Sequence, residues 1–204
     1  MDDFYVPLID LKERYLEEKI ELLECVERVL ELGHFVLTPE VSEFEDKVAM
    51  YTGIKHCIGL NSGTDALMIG LHMLGIGSGD EVITTPVSFI ASTGSIAHVG
   101  AKPVFVDVRA DQNINPDLIK SKITSRTKAI MPVHWAGRPC EMDKIYSIAK
   151  KHKIHVVQDS AHVIGARFKK KHLVSFGDAC TYSMHPLKNL NVWGDGGFIS
   201  TNNK

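Results

Sequence analysis

At 204 residues, 44% of them hydrophobic and 24% charged, the chain is long enough for one large domain around a well-buried core and has the composition of a soluble globular protein. Its 23 basic and 25 acidic residues leave a net charge of −2, which excludes the strongly basic surface that nucleic acid or an anionic membrane would select. The acidic start, MDDFYVPLIDLKERY, lacks the basic-then-apolar order of a signal peptide, and no apolar run approaches the roughly 18 residues of a membrane span.

Residues 8–32 (LIDLKERYLEEKIELLECVERVLEL) place apolar residues at helical spacing between charges, which predicts an amphipathic helix stopped at Gly33. Thr38-Pro39 is a start signal for a second helix over 39–52, because proline is tolerated at the first helical position. From His56 the pattern changes. Strands are predicted near 57–60, 81–85, 103–107, 128–133, 154–158, 179–184 and 197–201, with helices over 64–74, 88–98, 115–122 and 141–152. Strands that are apolar throughout and alternate with helices specify an α/β fold: a mostly parallel seven-stranded sheet in a three-layer α/β/α arrangement. Neither repeats nor linkers interrupt it, so 1–204 reads as one domain with an N-terminal helical segment at about 1–53.

Ligands of such sheets bind at the carboxyl ends of the strands. After the first strand, Asn61-Ser62-Gly63-Thr64 runs straight into a helix; this is either a plain N-cap by Ser62 or Thr64, or a phosphate site built on free helix amides and hydroxyls. After the second strand comes Phe89, which can stack on a planar ligand or simply open a helix as a core residue. The strand over 154–158 ends in Asp159, with His162 three residues on, and the strand over 179–184 delivers Ser183 and then Lys188.

Asp159 and Lys188 suggest a specific chemistry. A lysine held among apolar and hydroxyl residues loses solvation, so its neutral, nucleophilic form gains ground. A carboxylate at a strand end can hold a heteroaromatic nitrogen protonated. Those are the two groups that pyridoxal phosphate chemistry requires. Other features carry less. His134-Trp135-Ala136-Gly137 either flanks the site or forms a turn, and Lys169-Lys170-Lys171-His172 sits where a hairpin would turn. The ten histidines show no HExxH spacing, so no metal is assigned, and no GxGxxG follows the first strand, which excludes a dinucleotide-binding domain. Cys25, Cys57, Cys140 and Cys180 show no CxxC spacing and are expected as free thiols in a reducing cytoplasm.

Six ordered blocks resemble the DegT/DnrJ/EryC1/StrS family of sugar aminotransferases: Asn61-Ser62-Gly63-Thr64-Asp65-Ala66-Leu67, Gly79-Asp80-Glu81-Val82-Ile83, Lys128-Ala129-Ile130-Met131-Pro132-Val133-His134, Gln158-Asp159-Ser160-Ala161-His162, Ser183-Met184-His185-Pro186-Leu187-Lys188-Asn189 and Gly194-Asp195-Gly196-Gly197. The resemblance implies the large domain of a type I pyridoxal phosphate-dependent transferase. It further implies transfer of an amino group, usually from glutamate, to a keto sugar, usually on a nucleotide, by a homodimer with shared active sites. Carried over by position, Lys188 is the Schiff-base lysine, Asp159 pairs with the pyridinium nitrogen, Phe89 stacks on the ring and His162 bonds the ring hydroxyl. Ser62, Gly63, Thr64 and Ser183 hold the phosphate. Met184 departs from the family, which usually has an aromatic there. Family members also continue past this chain's last residue, Lys204, into a smaller C-terminal domain. Two alternatives follow: a regulatory or catalytically incomplete module that binds the cofactor, and a sugar dehydratase, whose members carry histidine in place of the lysine.

Overall fold

A computed structural model describes residues 6–203; Met1–Tyr5, the first part of the acidic start, and Lys204 lie outside them. The chain divides into two compact units, one up to Glu43 and one from Phe44 onward. The first contains α1 (Leu11–Leu32). Asp10 caps it by accepting from the Glu13 amide at 2.9 Å, so the helix starts three residues later than the periodicity predicts. Gly33 stops it in the left-handed conformation, φ 66°, its amide bonded to the Leu30 carbonyl. Nothing in α1 is buried, and Leu16, Ile20, Leu23 and Leu30 run exposed along one side. A second helix, α2 (Pro39–Thr52), starts at the predicted proline and crosses the division. Its last turn closes when the Thr52 hydroxyl donates to the Val48 carbonyl at 2.7 Å.

The second unit is the α/β domain. Its strands are β1 (His56–Leu60), β2 (Glu81–Thr84), β3 (Lys102–Phe105), β4 (Thr127–Ile130), β5 (His155–Asp159), β6 (Arg167–Phe168), β7 (Lys171–His172), β8 (Ala179–Ser183) and β9 (Gly197–Thr201). Seven of them form one sheet in the order β1-β9-β8-β5-β4-β2-β3; β9 runs antiparallel to both neighbours and every other pair is parallel. The helices are α3 (Gly63–Met73), α4 (Ile90–His98), α5 (Pro116–Ile119) and α6 (Met142–His152). The 115–122 helix is shorter than predicted, since after Ile119 it tightens into a 3₁₀ turn, Lys120–Lys122.

Adjacent residues of the central strands face opposite layers, as a pleat requires. Val82, Ala129 and Val157 pack with Leu67 and Leu71 of α3 and Ile96 of α4. Their chain neighbours Ile83, Ile130 and Val156 pack with Met142, Ile145 and Ala149 of α6. Both faces are therefore covered, which explains why the strands read as apolar throughout. The predicted 128–133 strand leaves the ladder after Ile130, yet Asp159 N still donates to the Pro132 carbonyl at 3.0 Å and His134 N to the Asp159 carbonyl at 3.1 Å. That keeps His134 at the same sheet edge as Asp159. The basic run turns a hairpin between β6 and β7, with Lys169 and Lys170 at φ 47° and 66°, the left-handed pair that a two-residue turn needs. Lys169 pairs there with Asp143 at 2.5 Å.

Candidate active site

The carboxyl ends of β1, β4, β5 and β8 and the loops that follow open onto a cleft of about 480 Å³, within the range of roughly 300–1,000 Å³ typical of small-molecule sites. All eight residues singled out from the sequence line it: Ser62, Gly63, Thr64, Phe89, Asp159, His162, Ser183 and Lys188.

One end of the cleft is the N-terminus of α3. Ser62 caps the helix, its hydroxyl accepting from the Asp65 amide at 3.0 Å, and still has its own proton to donate. The cap and the anion site are thus compatible. Gly63 and Thr64, the first two helical residues, have amides with no acceptor inside the helix. The turn is crowded by backbone. A Cβ on Gly63 would lie 2.7 Å from that of Ser183, and one on Gly197 would lie 2.5 Å from the Ser62 carbonyl oxygen and 2.6 Å from the Gly63 nitrogen. Glycine at both positions lets β8 and β9 close on the helix start, bringing the Ser183 hydroxyl beside the free amides. A phosphate fits this cradle.

The wall and the acid come next. Phe89 precedes α4 in extended conformation and is 68% exposed, so its ring belongs to the cleft wall and not to the core. Asp159 is buried at the end of β5. Its Oδ2 accepts from the Ser92 hydroxyl at 2.5 Å and its Oδ1 from the Ala161 amide at 3.2 Å. His162 lies half-buried, its ring 5.6 Å from that of Trp135, so the 134–137 turn does flank the cleft. An anion cradle, an aromatic wall and a buried acid in one cleft suit a flat heteroaromatic phosphate such as pyridoxal phosphate.

Lys188 stands on the loop between β8 and β9, half-buried. Burial lowers its proton affinity, and the Asp159 charge opposes this without cancelling it. Burial likewise lowers that of His162, helped by the Lys188 charge and opposed by Asp159. The loop backbone is tied by Lys188 N donating to the His185 carbonyl at 2.8 Å and by Asn191 Nδ2 donating to the Lys188 carbonyl at 2.7 Å. Met184, the departure from the family pattern, packs in the core with Tyr182 and Phe198. The exchange of an aromatic for Met is therefore absorbed in the core layer.

Sequence reasoning missed Ser88, Ser92 and the role of His134. His134 is fully buried; its Nδ1 accepts from the Cys140 amide at 3.0 Å, so its Nε2 donates to Gln158 Oε1, also at 3.0 Å. Burial brings its pKa down to about 4, which keeps the ring neutral beneath the site. The i, i+4 spacing of Ser88 and Ser92 on a helix start was the one available signal for the serine pair.

The sequence matches the DegT/DnrJ/EryC1/StrS aminotransferase family over residues 17–204. It is 44% identical over 97% of its length to a pleiotropic regulatory protein of Geobacillus stearothermophilus, covering 53% of that protein. It is 40% identical over 96% of its length to the dTDP-3-amino-3,4,6-trideoxy-alpha-D-glucose transaminase of Streptomyces venezuelae, covering 52% of it. The solved structure of ntda from Bacillus subtilis with bound cofactor PMP superposes with a TM-score of 0.91 at 34% identity, over 100% of this chain and 47% of that one. The chain thus spans about half the length of the curated relatives it matches. Sheet order, cleft and sequence agree, and the chain belongs to the DegT/DnrJ/EryC1/StrS aminotransferase family.

Proposed function

We propose that the chain is the cofactor-binding large domain of a pyridoxal phosphate-dependent aminotransferase that moves an amino group, from glutamate, to a nucleotide-linked keto sugar. The observation that carries the reading is one half-buried amine, Lys188, and one buried carboxylate, Asp159, in a cleft that ends on the open N-terminus of α3. The transaminase name of the Streptomyces relative and the PMP of the Bacillus structure support it.

When bound, pyridoxal phosphate supplies an electron-withdrawing ring that stabilises the negative charge developing as an amino-bearing carbon loses its proton. The Gly63 and Thr64 amides, with the hydroxyls of Ser62, Thr64 and Ser183, bind the phosphate. Phe89 covers one ring face and excludes water from it. Asp159 keeps the ring nitrogen protonated, and His162 orients the ring through its hydroxyl. Lys188 Nζ holds the cofactor; once the donor's amine displaces it, it moves the proton between the donor's α-carbon and the cofactor's C4′. Its reduced proton affinity suits it to act as a base near neutral pH.

The working protein in this reading is a cytoplasmic homodimer with shared sites, and a smaller C-terminal domain contributes substrate contacts. No described helix is long and apolar enough to cross a membrane, and Cys57, Cys140 and Cys180 are free and buried, which suits a reducing compartment. Lys188 argues against the dehydratase, which needs histidine there. The name of the Geobacillus relative favours a second reading, a regulator that binds the cofactor without turnover.

The test is to add pyridoxal phosphate to the full-length protein, reduce with borohydride and map the modified peptide, then assay amino transfer from glutamate to a dTDP- or UDP-linked keto sugar. A label on Lys188 together with turnover is expected. A label without turnover on any such sugar selects the regulatory reading, and no label on Lys188 overturns both.

A further inference from the structure

We propose that Ser92, backed by Ser88, is the positioning residue of the site's acid: its hydroxyl pins Oδ2 of Asp159 and so sets how that carboxylate meets the ring nitrogen of the cofactor. The inference rests on the cofactor reading above.

The geometry fixes the direction of the hydrogen bonds. Ser92 is fully buried, and its Oγ lies 2.5 Å from Asp159 Oδ2. An ionised carboxylate only accepts, so the single Ser92 proton goes to Asp159. The second contact of Ser92, at 2.5 Å to the Ser88 hydroxyl, must then be one in which Ser88 donates. The relay therefore runs from Ser88, which lines the cleft, through Ser92 to the acid. Its frame is rigid: the Ser92 amide donates to the Phe89 carbonyl at 3.2 Å, and the Ser95 hydroxyl donates to the Ser92 carbonyl at 3.0 Å.

Two consequences follow for the acid. With Oδ2 held by Ser92 and Oδ1 by the Ala161 amide, the carboxylate cannot rotate, and its remaining lone pairs keep a fixed direction. A short hydrogen bond to an anion is also about twice as strong as a neutral one, so it disperses part of the negative charge. A carboxylate relieved in this way competes less for the proton it shares with a heteroaromatic nitrogen, and the proton stays on the ring. The same first turn of α4 carries Phe89, so one short segment sets both the ring face and the acid that serves the ring's nitrogen.

A serine that merely fills a buried helix position would affect every ligand of the cleft alike, and that difference is the test. Equilibrium binding to the full-length protein is measured for pyridoxal phosphate and for its 1-deaza analogue, in which carbon replaces the ring nitrogen. Ser92→Ala is expected to weaken pyridoxal phosphate about ten-fold while leaving the deaza analogue unchanged, and Ser88→Ala to do the same about three-fold. Ser95→Ala, which removes a brace but no donor to the acid, is expected to treat both ligands alike. Urea unfolding midpoints show whether each variant folds, and Ser88→Ala decides the matter if Ser92→Ala does not. Equal weakening of both ligands, or none, overturns the proposal. A wild-type protein that binds neither ligand overturns the cofactor reading itself.

Discussion

Replacing Gly197 by alanine tests the closest backbone packing in the site. Gly197 opens β9 and pairs with Leu60 of β1 on one side and Ser183 of β8 on the other, so its main chain is held from both edges. A Cβ there would stand 2.5 Å from the Ser62 carbonyl oxygen and 2.6 Å from the Gly63 nitrogen. Ordinary carbon contacts need roughly 3.5 Å or more, so the strand or the α3 start must move by about 1 Å. Overpacking of a core typically destabilises by about 1–3 kcal/mol. Here both partners are backbone and neither can swing aside, which puts the loss near about 3 kcal/mol. Reduced entropy of the unfolded chain returns only about 0.4–1 kcal/mol. Gly194 is the internal control: it lies three residues earlier, and an added Cβ there meets nothing within 4 Å. Its alanine variant should stay within about 0.5 kcal/mol of wild type. Urea unfolding of the three proteins measures the difference, and pyridoxal phosphate titration of the full-length forms should show a weaker phosphate grip for Gly197→Ala alone. Equal stability of the two variants would refute the packing argument.

The remaining expectations concern titratable groups. His134 is neutral in the fold, with its pKa near 4 against an ordinary 6.5, so the unfolded chain binds a proton that the folded one does not. Stability is full above about pH 6.5 and falls as pH drops towards 4, by on the order of 3 kcal/mol; urea midpoints across that window should show the slope, and His134→Gln should flatten it. Lys188→Ala in the full-length protein should lower transamination by at least about 10³-fold, as expected for loss of a proton-transfer group; near-normal turnover in a discontinuous product assay would sink its assigned role. Burial pushes the thiols of Cys57, Cys140 and Cys180 up to about 12, whereas Cys25 is exposed. A colorimetric thiol reagent should therefore titrate one cysteine quickly in the native protein and all four after unfolding.

The sequence was most readable where side chains face one environment along a whole element. The seven strands announce themselves because both sheet faces are covered, and Gly33 and Pro39 mark helix ends through their own backbone preferences. Strand order is different. Nothing in residues 197–201 states that β9 lies between β1 and β8 and runs against both. The site residues at strand ends were legible because topology alone brings them to one edge. The Ser92 bond to Asp159 was not, since its partner lies 67 residues away and a helical serine usually bonds its own backbone. The two serines four residues apart marked a face but gave no hint of what it meets. Gly197 gave no local clue either, as its requirement is the space occupied by Ser62.

The antiparallel β9 has a dynamic consequence. Because Ser183 and Gly197 are register partners, the loop carrying Lys188 leaves and re-enters the sheet at one point, and Met184 N donating to the Gly196 carbonyl at 2.7 Å closes its neck. Further bonds inside the loop hold its main chain around Lys188. An amine that must shuttle during each catalytic cycle is thus mounted on a stationary base, and only its four-carbon stem has to swing. Such rotations take picoseconds to nanoseconds, whereas loop rearrangements take microseconds or longer. The proton-transfer step of the proposed reaction should therefore run without waiting for the backbone, and its rate should be indifferent to added viscogen.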